Sequence, residues 1–278
     1  SARRRVFGVD YAHTRGFQGG DLYFTRVGWS YRDSLLPRHW YDNEGFRKFG
    51  RALKGGTGKV YRVPVPHPAL DPIAVVVKFC RFGQDLGLTG LDMPAVFPWP
   101  IELLEGATFL GPFAEFGRVN DLLRVRHEMR QPWFAMKQPL AIYCPPTRFS
   151  LWQVGRDPNR LWEHSVPLAR DQAGAGDQAV AYDWERIYIM LYRWMGGADA
   201  ELAQSKGWIT EAEMVALAHR SARDLAALGF AVLDHKPRHV ILRMGPKGLA
   251  RRGGQPVYGL IDYELLVPFT GALAGSGI

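Results

Sequence analysis

The residues best suited to chemistry lie between Gly229 and Ile241: Gly-Phe-Ala-Val-Leu-Asp-His-Lys-Pro-Arg-His-Val-Ile. The apolar run from Phe230 to Leu233 delivers the chain to Asp234, and Lys236 follows two residues later, locked by Pro237. After His239 a second apolar run begins, Val240-Ile241-Leu242. An acid and a lysine on one proline-fixed loop between two buried segments suit the handling of phosphate. A second acid, Asp262, ends another apolar run, Val257-Tyr258-Gly259-Leu260-Ile261. Upstream, Ile73-Ala74-Val75-Val76-Val77-Lys78-Phe79 reads as a β-branched strand carrying one lysine. An unpaired buried charge is expensive, so Lys78 either ends an edge strand and points to water or has a reason to be inside.

The elements around these residues set their positions. Lys54-Gly55-Gly56-Thr57-Gly58-Lys59 precedes the alternating Val60-Tyr61-Arg62-Val63, which predicts a hairpin about a glycine turn. Gly56 and Gly58 would let backbone N–H groups come close to phosphates. A P-loop is excluded, because Leu53 and Val60 stand where that motif needs Gly and Ser or Thr. Residues 112–130 predict a helix, with Pro112 at its start and Phe113, Phe116, Val119, Leu122 and Leu123 on one face. Strands are expected over residues 134–143, 149–154 and 185–192, with a polar insertion at 155–183. Thr210 and Glu213 form a capping box, and the helix they open runs to Gly229, aiming the chain into the Asp234 loop. Residues 240–243 and 257–261 predict a hairpin with a basic tip at Lys247, Arg251 and Arg252. Residues 1–45 show little periodicity beyond a strand at 21–27 and read as an extension wrapping the body.

This arrangement resembles the protein-kinase-like superfamily. Asp234, Lys236 and Pro237 match the Asp, Lys and Pro of its His-Arg-Asp-x-Lys-Pro-x-Asn loop; Val232 and Leu233 replace the His and Arg, and His239 replaces the Asn. Asp262-Tyr263-Glu264 stands where the family has Asp-Phe-Gly. The resemblance covers about residues 46–266. It implies an α+β, bilobal protein-kinase-like fold with a β-rich N-lobe, a helix C and a reduced helical C-lobe. Residues 1–45 would be the packed extension, 46–191 the N-lobe with its insertion, and 192–278 the hinge and truncated C-lobe. The implied reaction is ATP-dependent transfer of the γ-phosphate to a hydroxyl acceptor. Gly56 and Gly58 would cover the phosphates, and Lys78 would grip them, held by Glu115 on helix C; Asp121 and Glu128 stay open for that role, and so does a merely solvated Glu115. Tyr192, Trp194 and Met195 would form the hinge that reads the adenine edge. Asp234 would accept the acceptor's proton, Lys236 would stabilise charge on the γ-phosphate, and Asp262 with His239 would hold Mg²⁺, or Mn²⁺ given the imidazole. His239, Glu264 and the short stretch after Asp262 fit the other implied reading, a pseudokinase-like module that binds a nucleotide or partner without turnover.

Composition bounds these readings. The chain has 278 residues, 47% hydrophobic and 22% charged, enough for a large core in one or two domains and unlike a disordered chain. Its net charge of +8 suits a nucleotide, a phosphorylated substrate, a nucleic acid or a membrane surface without choosing among them. A nucleic-acid reading rests only on that charge and on scattered aromatics. Two cysteines, Cys80 and Cys144, make neither a disulfide framework nor a CxxC metal pair, so a reducing cytoplasm is the expected setting. No run approaches the ~20 apolar residues of a membrane span. Arg3-Arg4-Arg5 is not followed by an apolar signal segment, and a start at Ser1 suggests a processed or trimmed terminus.

Overall fold

Antiparallel pairing builds the largest element among the described residues, an eight-stranded sheet. The computed structural model describes residues 2–17, 19–53, 59–67, 72–84, 107–130, 133–159, 181–246 and 248–269. Its strands are β1 (Ala2–Val6), β2 (Val9–Phe17), β3 (Gly20–Thr25), β4 (Arg51–Ala52), β5 (Val60–Val65), β6 (Ile73–Phe79), β7 (Ala135–Met136), β8 (Pro139–Cys144) and β9 (Ile189–Arg193). They continue as β10 (Ala198–Asp199), β11 (Phe230–Val232), β12 (Val240–Leu242), β13 (Met244–Gly245), β14 (Gly248–Leu249), β15 (Arg251–Arg252), β16 (Gln255–Pro256), β17 (Tyr258–Leu260) and β18 (Leu266–Pro268). The α-helices are α1 (Arg26–Trp29), α2 (Gly45–Lys48), α3 (Pro112–Met129), α4 (Ala200–Ser205) and α5 (Glu211–Ala227). The result is a mixed α+β structure in which, among the described residues, a large antiparallel sheet outweighs the helices. The chain divides into two compact units: Ser1–Asp85 with Thr108–Asn120 and Gln138–Trp194, and Leu86–Ala107 with Asp121–Lys137 and Met195–Ile278.

The first unit is organised by the eight-stranded sheet β1-β2-β3-β8-β9-β6-β5-β4. Each face of it is covered. Val63, Val65, Val75, Val77, Ile189 and Leu191 pack with Trp40 and Phe46 in one core. Val76, Ile142, Met190 and Tyr192 pack with Phe113 and Phe116 of α3 in another. Because side chains alternate along a strand, Lys78 shares the face of Val76 and not that of Val75 and Val77. α3 enters this unit with residues 111–117 buried on every side.

Several expectations change here. Within the N-terminal extension, residues 2–25 supply three strands, two more than the one expected at 21–27, and these extend the main sheet past β8, with Tyr11, Leu22 and Phe24 buried. β3 stops at Thr25 because its hydroxyl caps α1, accepting from Gly28 N–H at 3.0 Å and donating to Pro139 O at 2.9 Å. The strand expected at 149–154 is a 3₁₀ helix over Leu151–Val154, since Gln153 Oε1 reaches back to Ser150 N–H at 2.8 Å. The strand expected from 185 begins only at Ile189. Before it, Arg186 turns away to bind Asp21 at 2.9 Å, Pro145 O at 2.7 Å and Cys144 O at 2.6 Å. The single strand expected over 134–143 is two, β7 and β8, in different units.

In the second unit α5 opens with the reciprocal cap: Glu213 N–H donates to Thr210 Oγ1 at 3.1 Å and Thr210 N–H to Glu213 Oε2 at 2.8 Å. The helix ends before Gly229, whose φ of +80° favours glycine. β11 pairs with β18, and β12 lies between β10 and β17, with β7 parallel to β17 on its far side. Gly259 permits that last contact. A Cβ there would sit 2.3 Å from Met195 Sδ and 2.9 Å from Ala135 O. Among the described residues no helix is long and apolar enough to cross a membrane. Both cysteines are free and buried, and burial pushes the Cys80 thiol up to about 12 and that of Cys144 up to about 11.

Candidate functional site

Chemistry-bearing side chains gather separately in each unit. In the first, Lys78 on β6 is 6% exposed and faces Glu115 on α3, which is fully buried. Lys78 Nζ lies 3.3 Å from Glu115 Oε1 and 3.2 Å from Oε2. Tyr192 on β9 adds a third member, its hydroxyl donating to Glu115 Oε1 at 2.5 Å. The register of Val76 opposite Tyr192 and Lys78 opposite Met190 turns both Tyr192 and Lys78 toward α3. A buried carboxylate held by an ammonium and a phenol is geometrically fixed, because each bond is charge-assisted and its partners are themselves buried.

Of the residues the resemblance assigns to a hinge, Tyr192 is thus a core side chain stacked edgewise on Phe116 at 5.1 Å. Trp194 is half-buried under the Arg62 guanidinium at 4.8 Å, and its N–H donates to Ala74 O at 3.0 Å. Met195 is buried against Gly259. The chain passes from one unit to the other between Trp194 and Met195. Gly56 and Gly58, and the tip residue Lys247, lie outside the described residues. Asp121 lies half-buried on α3, and Glu128 is exposed and bonded to Arg124 at 3.1 Å.

In the second unit, β11 runs straight into the loop Leu233-Asp234-His235-Lys236, which a 3₁₀ turn over Pro237–His239 closes onto β12. Alternation along this loop points Asp234 and Lys236 one way and His235 the other. Lys236 Nζ contacts Asp234 Oδ1 at 2.6 Å. His235 is 2% exposed and meets Ser221 of α5 at 2.7 Å, where the Ser221 hydroxyl in turn donates to Ala218 O at 2.9 Å. Burial pushes the His235 pKa down to about 3, so it anchors the loop as a neutral ring. Asp262 follows β17 after Ile261. Its Oδ1 accepts from Glu264 N–H at 3.3 Å, and His239 Nε2 lies 3.5 Å from its Oδ2. His239 Nδ1 is buried with no hydrogen-bond partner. Burial lowers the His239 pKa, while Asp262 and Asp234 pull the other way. His239 Nε2 thus faces Asp262. Tyr263 is fully buried, donates to Leu260 O at 2.9 Å, and carries Lys137 Nζ over its ring at 5.6 Å.

Two contacts in these clusters, Tyr192 with Glu115 and His235 with Ser221, escape a reading of the sequence. Tyr192 looks like one more apolar strand residue, and only the β6–β9 register reveals its bond to Glu115. His235 occupies a variable position of the loop motif; its one signal is Ser221 on the otherwise apolar face of α5.

The donor set bears on a metal ion. Among the described residues no group of three or more His, Cys, Asp or Glu is arranged to hold one. Mg²⁺ commonly takes one or two carboxylates and fills its shell with phosphate oxygens and water. Asp262, partly exposed with one oxygen held by Glu264 N–H, fits that role as a single ligand.

No known protein-family profile matches the chain, and no curated protein matches it. Among solved structures it aligns with the one described as "Co-crystal structure of WbdD and kinase inhibitor LY294002", at 12% identity over 80% of this chain and a TM-score of 0.29. The chain spans 33% of the length of that protein.

Proposed function

We propose that this protein is an atypical, kinase-like phosphotransferase that uses ATP and a divalent cation to phosphorylate a hydroxyl group. The observation that carries the reading is the buried Lys78–Glu115 pair, a strand lysine fixed by a helix glutamate. Such a lysine is held in one place to meet phosphate oxygens, and a buried ion pair has little worth as a stability device alone. In this reading Lys78 orients the α- and β-phosphates. Asp262, backed by His239, is the carboxylate that would hold Mg²⁺ or Mn²⁺. A metal bound there would neutralise charge on the phosphate oxygens. Asp234 orients the acceptor hydroxyl and takes its proton as the hydroxyl oxygen bonds to the γ-phosphorus and the bond from that phosphorus to the bridging oxygen breaks, leaving ADP. Lys236, already beside Asp234, turns to the transferring phosphoryl oxygens and screens the two negative groups from each other. The fold assignment that goes with this reading is bilobal and kinase-like, with β-rich and reduced helical lobes.

One observation favours a second reading, a pseudokinase-like module that binds nucleotide without turnover. Lys236 engages Asp234 at 2.6 Å and His239 faces Asp262 at 3.5 Å, so both acids already have cationic or imidazole neighbours. A thermal-shift series with ATP and Mg²⁺ or Mn²⁺, followed by ATP turnover of wild type and Asp262→Ala, separates the two. Metal-dependent stabilisation with turnover that Asp262→Ala abolishes supports the enzyme. Stabilisation with no turnover supports the module. No response to nucleotide under any metal would refute both.

A further inference from the structure

We propose that Phe7 and Tyr192 are positioning residues that brace helix α3 so that Glu115 stays seated on Lys78. The β1–β2 hairpin turns at Phe7 and Gly8, with φ of +48° and +72°. Two residues at positive φ make the tight turn that suits a hairpin, but a bulky side chain at the first of them is disfavoured. The strained residue is the one that touches α3. A Cβ added to Gly117 would lie 2.6 Å from Phe7 Cβ and 2.9 Å from Phe7 O. Glycine inside a helix is itself unfavourable, by ~1 kcal/mol relative to alanine. Two locally unfavourable choices thus meet at one point, within a single helical turn of Glu115, where they let the hairpin and the helix approach closely.

The remaining contacts grip the same turn. Phe113 is met edge-on by Tyr11 at 5.4 Å and by Tyr23 at 5.0 Å, both from the N-terminal strands. On the other side Tyr192 holds Glu115 Oε1 at 2.5 Å and Phe116 at 5.1 Å. The N-terminal strands and β9 are parts of one sheet, so α3 is fastened to that sheet at Phe113, Glu115, Phe116 and Gly117. In kinases the corresponding pair must be in place for activity, and movement of the helix controls it. Here the brace keeps the pair assembled through packing within one sheet and the helix on it. The brace stands on this packing, whereas its consequence for nucleotide binding rests on the phosphotransferase reading, and separate labelling and binding measurements distinguish the two.

Limited acetylation followed by mass spectrometry reports how often the Lys78 amine becomes accessible. Lys137, 5% exposed and in the other unit, is the internal control. In Phe7→Gly, Gly117→Ala and Tyr192→Phe, labelling of Lys78 is expected to rise about fivefold or more while that of Lys137 stays within about twofold. Phe7→Leu is expected to restore the wild-type rate. Unchanged Lys78 labelling in all three variants overturns the brace, and so does a parallel rise at both lysines, which marks general loosening. Mg-ATP affinity is measured on the same proteins. Weaker binding in the fast-labelling variants supports the positioning role, and unchanged binding in them overturns it. A wild type without affinity for Mg-ATP defeats the phosphotransferase reading, and the labelling ratio still decides the brace.

Discussion

Replacing Lys78 by Met tests the buried pair through stability. The side chains are similar in length, so the change removes the ammonium facing a fully buried carboxylate and little else. Breaking a buried pair from one side costs ~3–5 kcal/mol, against ~0–1 kcal/mol for an exposed one. Glu115→Gln removes the other charge and is expected to cost a similar amount. The double variant Lys78→Met/Glu115→Gln carries neither charge, and its cost should fall well below the sum of the two, leaving a coupling energy of at least ~2 kcal/mol. Urea unfolding followed by tryptophan fluorescence measures all four proteins. A Lys78→Met cost under ~1 kcal/mol with additive single changes would mean the pair is solvated, and its burial would no longer speak for a role in phosphate binding.

Acid should destabilise the protein through His235. Its folded pKa, about 3, lies below the ordinary value of 6.5, so the unfolded chain takes up the proton first. The stabilisation is present above about pH 6.5 and is lost as pH falls toward 3, at ~1.4 kcal/mol per unit for this one group. His235→Gln should flatten that slope in urea midpoints taken between pH 7 and 4; an unchanged slope would point to other groups. Gly259→Ala should cost ~1–3 kcal/mol, because its methyl meets Met195 Sδ and the Ala135 carbonyl, and a melting temperature within error of wild type would show that β17 and β7 are only loosely joined. Thr210→Ala should remove ~1 kcal/mol by opening the cap of α5, with amide exchange rising first at Glu213.

How much of the molecule is legible in its sequence depends on the range of each interaction. The α5 cap, the stop at Gly229 and the Asp234–Pro237 loop are local, so residue types and spacing suffice to place them. The burial of Lys78 is only half legible, because one lysine in a run of β-branched residues can also end an edge strand and point to water. Its pairing with Glu115 needs the placement of α3 on the sheet, since the sequence leaves Asp121 and Glu128 open for the same role. The N-terminal strands are hidden for a different reason. β1 is an edge strand whose arginines face solvent, so it shows no apolar alternation, and Tyr11 and Tyr23 matter through a helix far away in sequence. Tyr192 is concealed by register: which strand side chain reaches Glu115 depends on β6 and β9 being aligned as they are. The strand expected from residue 185 fails because Arg186 has better partners in Asp21 and two carbonyls than a ladder could offer. The Phe7–Gly117 approach has no signature beyond one glycine inside an amphipathic helix.

The proposed phosphotransferase has to bind ATP together with a divalent cation. Calorimetric titration of ATP into wild type, Lys78→Met and Asp262→Asn, each with and without Mg²⁺, tests this most directly. Binding that Mg²⁺ strengthens in wild type, that Lys78→Met weakens at least tenfold, and that Asp262→Asn renders indifferent to Mg²⁺ is the expected result, a tenfold change being ~1.4 kcal/mol. Wild-type affinity retained by both variants would contradict the account.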